Sequence, residues 1–294
     1  MEARVLSIQS HVVSGYVGNK SAVFPMQVLG LDVDFINSVQ FSNHTGYKVV
    51  KGQILTEKEL DEIITGLKAN GLDIYTHLLT GYIGSKSFLC QIINVVKELK
   101  KKNPNLIYVC DPVMGDNGKL YVPNELLPIY RESVIQLADI ITPNLFEAEL
   151  LSEVPIEDIS DVWKAVDVLH NKGCETIIIS SADIKAKPGI LYVFASRKKE
   201  KNEKYLMELN KYPNSFTGTG DLFASLMLSW MHKTKNDLKK SLEYTIASLQ
   251  SVLKKTLDNM QGKGNDVKNK ELRIIQSKTE IEEPKVIYEA VIVE

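Results

Sequence analysis

Short apolar, β-branched runs alternate with helix-length segments over most of the 294 residues, and this alternation limits the fold more than any other feature. Strand character falls at Val5–Ile8, Val33–Val39, Tyr75–Leu79, Leu106–Cys110, Asp139–Ile141 and Thr176–Ile179. Helical patterns fall between them, at Lys20–Gly30, Glu57–Asn70, Lys86–Lys102, Phe146–Ser152 and Ile159–Lys172, and then at Leu222–His232 and Leu238–Leu257. Such alternation predicts an α/β fold, a mostly parallel central sheet with helices on both faces. Leu191–Phe194 and Tyr205–Leu209 read as a β-hairpin, with the charged run Arg197–Lys204 as its solvated tip. Gln261–Lys270, rich in Gly, Asn and Lys, reads as disordered, and the tail Val286–Val293 alternates weakly. There is no internal repeat, and the length suits a single domain over residues 1–294.

Composition narrows the functional classes. A net charge of −2 supplies no general attraction to nucleic acid or to an anionic membrane. No run approaches the length of a membrane span. The start, Met1-Glu2-Ala3-Arg4, passes straight into a strand and lacks the apolar core of a secretion signal. Three cysteines, Cys90, Cys110 and Cys174, form no C-x-x-C pair and read as buried, reduced thiols of a cytoplasmic protein. In that setting Asn19-Lys20-Ser21 and Asn43-His44-Thr45 match the glycosylation pattern by coincidence.

In an open parallel sheet, ligands bind beyond the carboxyl ends of the strands. Five strands here end in small polar or acidic groups: Gln9-Ser10-His11, Thr80-Gly81-Tyr82, Asp111-Pro112, Thr142-Pro143-Asn144 and Ser180-Ser181. The sharpest motif is Thr217-Gly218-Thr219-Gly220-Asp221, directly before the apolar helix Leu222–Trp230. Two glycines let backbone N–H groups approach a ligand, and the helix start adds donors and a positive dipole end, a combination suited to phosphate. Asp221 has two readings that local sequence leaves open: a first-turn acid that favours the dipole, or a base for a hydroxyl beside the phosphate. Asp111 and Asp116 on a Gly-containing loop fit either Mg²⁺ or a plain turn. Asn144 and Glu147 have the spacing of a capping box, which does not exclude a place near nucleotide phosphates. The loop Phe41-Ser42-Asn43-His44-Thr45-Gly46-Tyr47 could close over a flat ring. Gly18-Asn19-Lys20-Ser21 fails as a P-loop because Asn19 splits the Gly-Lys pair, and no G-x-G-x-x-G follows the first strand.

Together these motifs resemble the ribokinase-like superfamily, whose signature is a Gly-rich anion hole ending in an Asp, here Gly218-Thr219-Gly220-Asp221. Within it, Arg4–Val12, Gly15–Asn19, Asn37–Tyr47, Val109–Val113 and Asp139–Asn144 are similar to the pyridoxal kinase family, close to its animal members. The resemblance runs over nearly the whole chain. It implies ATP-dependent phosphorylation of the 5′-hydroxyl of pyridoxal, pyridoxine and pyridoxamine. Ser10 and Thr45 would bond the pyridine substituents, Val17, Phe41 and Tyr82 would line the ring pocket, and Asp221 would be the base. Gly218, Thr219 and Gly220 would cradle the phosphoryl group. Asp111, Asn144 and Glu147 would face the ATP phosphates, Ser180 and Ser181 the nucleotide, and Tyr212 to Phe216 the adenine. Asp116 would lie near Mg²⁺ or Zn²⁺, and Asp111, Thr142 and Ser180 would surround K⁺ or Na⁺. A homodimer is also implied. The chain departs from the family pattern at Val50, where tryptophan is usual, at Ser180 for threonine, at Thr217 for an apolar residue, and in a shorter loop between Asp116 and Tyr121. The rivals are another kinase of the superfamily, a non-catalytic vitamin-binding protein and a dehydrogenase.

Overall fold

The computed structural model describes residues 2–184, 187–199 and 202–293. In chain order the elements begin β1 (Arg4–Val12), α1 (Asn19–Val28), β2 (Asp32–Phe41), β3 (Gly52–Ile54), α2 (Glu57–Ala69), β4 (His77–Thr80) and α3 (Lys86–Lys102). Then come β5 (Ile107–Cys110), β6 (Gly115–Asp116), β7 (Lys119–Leu120), the short turns α4 (Leu127–Ile129) and α5 (Ile135–Leu137), β8 (Ile140–Ile141), α6 (Leu145–Ser152) and α7 (Ile159–Asn171). The chain closes with β9 (Thr176–Ala182), β10 (Ile190–Lys198), β11 (Asn202–Asn210), α8 (Thr219–Lys233), α9 (Leu238–Met260), α10 (Lys278–Glu282) and β12 (Val291–Ile292). These elements pack as two compact units, Met1–Ile54 with Tyr212–Ala290, and Leu55–Lys211 with Val291–Glu294.

In the first unit β1 and β2 run parallel and β3 joins β2 antiparallel. Helix α1 packs on both β1 and β2, and α8 packs on α1 and α9. Every residue from Leu222 to Met231 of α8 is buried, so this helix serves as core on all sides. Each such apolar side chain contributes roughly 1.5–3 kcal/mol relative to exposure. Trp230 belongs to this core, its ring 4.8 Å from that of Tyr244. A polar hub ties α1 to the strands. Buried Asn19, the first residue of α1, accepts from the Ser7 hydroxyl at 2.7 Å and donates to the Ile36 carbonyl and to Asn37 Oδ1, each at 2.9 Å.

The second unit holds a parallel run β4-β5-β8-β9, extended antiparallel by β10, β11 and β12. The β10–β11 pair is the predicted hairpin. Of the charged stretch Arg197–Lys204, Glu200 and Lys201 lie outside the described residues; Arg197 bonds Glu203 at 2.6 Å, and Lys204 reaches Asp167 and lies 5.3 Å over the Trp163 ring. Trp163 also meets Phe194 edge-on at 5.2 Å. Capping chemistry sets the helix starts. Thr56 and Glu59 form a capping box at α2, Ser85 caps α3, and Lys100, Lys101 and Lys102 close α3 where the dipole favours cations.

Four expectations are corrected. Strand β1 runs on through Ser10 to Val12, with a register shift at Gln9/Ser10 that leaves Ser38 of β2 as an extra residue. Strand β9 runs on through Ser180 and Ser181, past a similar irregularity opposite Tyr192 to Phe194. A β-bulge lets a strand continue while re-aiming its side chains, a feature apolar patterning does not reveal. The stretch Gln261–Lys270, expected to be disordered, instead carries a short helical turn at Val267–Lys270, and Asn269 donates to the Gly264 carbonyl at 2.7 Å. Cys90 is exposed whereas Cys110 and Cys174 are buried as expected, because Cys90 lies off the face of α3 formed by Phe88, Leu89, Ile92 and Ile93. Replacing Asn19 with alanine leaves the Ser7, Ile36 and Asn37 groups without this partner; the expected loss is about 2–4 kcal/mol, measured by urea unfolding.

Candidate active site

Helix α8 begins at Gly218, which sits at φ +85° as its N-cap. A Cβ here would meet the Tyr16 carbonyl oxygen at 2.0 Å, so only glycine lets these two backbone segments touch. The next three residues, Thr219, Gly220 and Asp221, form the first turn, whose N–H groups have no acceptor inside the helix. Asp221 thus has the first-turn position that favours the dipole, and its carboxyl accepts the backbone N–H of Gly18. Part of its surface remains open while dense protein surrounds it. That burial pushes the carboxyl above the usual aspartate range, and the Gly18 N–H pulls weakly the other way. A carboxylate raised in this way and set beside helix-start donors can accept a proton next to a bound phosphate.

Gly18 itself is the N-cap of α1, and a Cβ on it would strike the Ser10 carbonyl oxygen at 1.9 Å. The bulged end of β1 therefore touches the start of α1, which in turn touches Asp221. Ser10, Val17 and Phe41 are half-buried in this unit and Thr45 is exposed. Tyr212 and Phe216, also half-buried, precede α8, and the Phe216 carbonyl accepts from Thr219 Oγ1 at 3.5 Å. Sequence reading passes over Gly18, visible only as a failed P-loop, and over Glu271. The Glu271 carboxylate accepts from the Tyr16 N–H at 3.0 Å and the Tyr47 hydroxyl at 2.9 Å, and lies 3.2 Å from His44 Nε2. It sits in a charged stretch far along the chain, and nothing local marks it.

The other sequence-predicted residues belong to the second unit. Thr142 donates to Asp111 at 3.3 Å, both side chains being buried, and the Ser180 N–H bonds the Pro143 carbonyl at 3.0 Å. The capping box is present: Asn144 Oδ1 accepts from the Glu147 N–H, and Glu147 accepts from the Asn144 N–H, each at 2.9 Å. Glu147 also accepts from the N–H groups of Met114 and Gly115, at 2.9 and 3.3 Å, while Asn144 Nδ2 donates to the Gly115 carbonyl at 2.8 Å. Burial pushes Glu147 up to about 7 against the pull of these three backbone donors. Asp116 is exposed on the β6–β7 hairpin, whose tip Asn117-Gly118 has positive φ at both positions as a two-residue turn requires. Tyr82 is half-buried, and that burial raises its phenol. Ser181 is exposed.

Among the described residues no group of three or more His, Cys, Asp or Glu side chains could hold a metal alone. This fits Mg²⁺, which usually takes one or two carboxylates and completes its shell with waters and substrate phosphates. The oxygen-only pair of Asp111 and Thr142 suits a hard monovalent cation. Gly218→Ala forces both backbone strain and a clash; the melting temperature is expected to fall by about 5–10 °C in a calorimetric scan.

The family model described as phosphomethylpyrimidine kinase matches residues 49–266. A pyridoxal kinase of Arabidopsis thaliana is 52% identical over 288 residues, covering 96% of this chain and 92% of the relative. The pyridoxal kinase of Homo sapiens is 46% identical over 308 residues, covering 99% of each. Among solved structures, pyridoxal kinase from Leishmania donovani in complex with ADP and pyridoxamine superposes with a TM-score of 0.93 at 34% identity, covering 100% of both chains. The same kinase in complex with ADP and pyridoxine gives 0.92, covering 99% of each. With a family model over most of its length and relatives near half identical end to end, the chain belongs to the pyridoxal kinase family.

Proposed function

We propose that this protein transfers the terminal phosphoryl group of ATP to the 5′-hydroxyl of pyridoxal, pyridoxine and pyridoxamine. The observation that carries the chemistry is Asp221, an elevated carboxyl fixed by the Gly18 N–H in the first turn of α8. In this reading Asp221 takes the proton of the 5′-hydroxyl as its oxygen attacks phosphorus. Phosphoryl transfer needs positioning and charge stabilisation more than covalent help. The N–H groups of Thr219 and Gly220, with the dipole of α8, stabilise the charge on the moving phosphoryl oxygens, and Gly218 keeps the turn tight. Ser10 and Thr45 bond the ring substituents, and Val17, Phe41 and Tyr82 supply apolar and aromatic walls for the ring.

On the nucleotide side, Asp111, Asn144 and Glu147 face the phosphates. Glu147 and Asn144 act there chiefly by holding Met114 and Gly115 in place, since their hydrogen bonds are already committed. Ser180 and Ser181 contact the nucleotide from the β9 bulge, and Tyr212 and Phe216 flank the adenine. Asp116 would lie near Mg²⁺, and Asp111, Thr142 and Ser180 would surround K⁺ or Na⁺. Bound there, such cations would supply neutralisation of the phosphate charge. Both units act as parts of one kinase domain, in the cytoplasm and as a homodimer. Two facts accord with this setting: no described helix is long and apolar enough to cross a membrane, and the cysteines are free.

The direct test is ADP release by the purified protein with Mg²⁺ and K⁺. Pyridoxal should stimulate it and yield a product absorbing like pyridoxal phosphate. Stimulation only by a pyrimidine or a sugar would overturn the acceptor assignment. Asp221→Ala should lower kcat on the order of 10²–10⁴-fold with little change in either KM. A second outcome concerns pH. A protonated Asp221 cannot accept the hydroxyl proton, and its elevated pKa means protonation sets in at a higher pH than for an ordinary aspartate. The acid limb of kcat/KM should therefore lie above the usual aspartate value of 3.8, and a rate profile over pH measures it.

A further inference from the structure

We infer that Glu271 is a positioning residue for the vitamin substrate, a single carboxylate that locks the Tyr16-Val17 segment and the His44–Tyr47 loop into one rigid wall. The inference rests on the reading above that Val17 and Thr45 touch the ring. These segments are separated by more than 200 residues from Glu271, and its side chain joins them. Oε2 of Glu271 accepts from the Tyr16 N–H at 3.0 Å, while Oε1 lies 2.9 Å from the Tyr47 hydroxyl and 3.2 Å from His44 Nε2. Val17 directly follows one anchor, and Thr45 sits between the other two.

The donor and acceptor roles are set by the geometry. His44 Nδ1 accepts from the Gly46 N–H at 3.1 Å, so the ring proton is on Nε2, where it faces Glu271. His44 therefore works as a relay: one nitrogen closes the turn of its own loop and the other ties the loop to Glu271. Tyr47 stays a neutral donor, because burial and the adjacent carboxylate push its phenol up to about 12. Burial pushes Glu271 up, but the hydrogen bonds from His44, Tyr47 and Tyr16 outweigh it and hold the group below the usual glutamate range. All three partners are donors, and they use both oxygens. Only a carboxylate offers acceptors at both ends.

Two glycines make room for the clamp. A Cβ on Gly15, which has φ +98°, would lie 2.6 and 2.7 Å from the Glu271 oxygens. A Cβ on Gly46 would lie 2.7 and 2.9 Å from the His44 ring. Each anchor thus stands beside a glycine whose missing side chain leaves space for the contact. The acceptor wall is preorganised by this arrangement before any ligand arrives, which lowers the ordering cost of binding.

Glu271→Gln tests the idea, because the near-isosteric amide must turn its NH₂ toward one of the donors and break that side of the clamp. At saturating ATP the pyridoxal KM should rise on the order of 10- to 100-fold, with kcat and the ATP KM within about threefold of the parent. Tyr47→Phe removes a single donor and should raise the pyridoxal KM by a few-fold. The two substitutions should be non-additive when combined, since they break the same contact. An unchanged pyridoxal KM in Glu271→Gln, or an equal rise in the ATP KM, would overturn the inference and leave Glu271 a general structural residue. If circular dichroism shows Glu271→Gln unfolded, Tyr47→Phe decides alone: an unaltered pyridoxal KM overturns the inference. Thr45→Ala separates the underlying reading. If it leaves the pyridoxal KM unchanged, the substrate-facing role of the loop fails; if it raises that KM while Glu271→Gln does not, only the clamp fails.

Discussion

Backbone touching backbone is the constraint on which the acceptor side depends. The Gly218 Cα lies so close to the Tyr16 carbonyl that no side chain could intervene, and Gly18 meets the Ser10 carbonyl in the same way. These two approaches put the starts of α1 and α8 side by side, within reach of one carboxyl, Asp221, bonded to the Gly18 N–H. Helix N-termini favour negative charge, and here two of them act on one small region. Burial opposes the carboxylate and the N–H groups favour it. The residual elevation suits the base proposed above, since an ordinary surface aspartate is a weaker proton acceptor.

The Asn144–Glu147 box shows how one set of atoms serves two elements of the fold. The box of Asn144 and Glu147 starts α6, as any capping box would. Its members also reach back to Met114 and Gly115, and so fix the start of the β6–β7 hairpin that carries Asp116. Gly115 tolerates no side chain there, a Cβ falling 2.3 Å from the Lys119 carbonyl oxygen. The loop is thereby built from backbone bonds to a buried acid, and its precision comes from the same contacts that hold the helix.

The alternation of strands and helices was legible because periodicity and length are local properties, and the Gly218–Asp221 motif was legible because its glycines directly precede an apolar run. The two bulges were not. At Ser10 and at Ser180-Ser181 the strands continue where the apolar pattern stops, because backbone pairing with β2 and β10 outlasts the run of buried side chains. Composition misled at Gln261–Lys270, where Gly and Asn mark tight turns held by side-chain bonds. Glu271 lay beyond sequence reading altogether. Its partners are Tyr16, His44 and Tyr47, and no spacing rule links a carboxylate to groups more than 200 residues away.

The chain has two tryptophans, and the fold distributes them one to each compact unit. Trp230 is packed in the apolar interior against Tyr244, whereas Trp163 is half-buried beneath the Lys204 ammonium and against Phe194. Both rings have a lysine ammonium over them, Lys233 at 5.7 Å and Lys204 at 5.3 Å, so the difference is burial, and a buried indole emits to the blue of a half-exposed one. The protein therefore carries an intrinsic pair of optical reporters with separable colours, and a Trp163→Phe or Trp230→Phe background isolates either one. Each unit announces its own loosening in its own band, without any label being added.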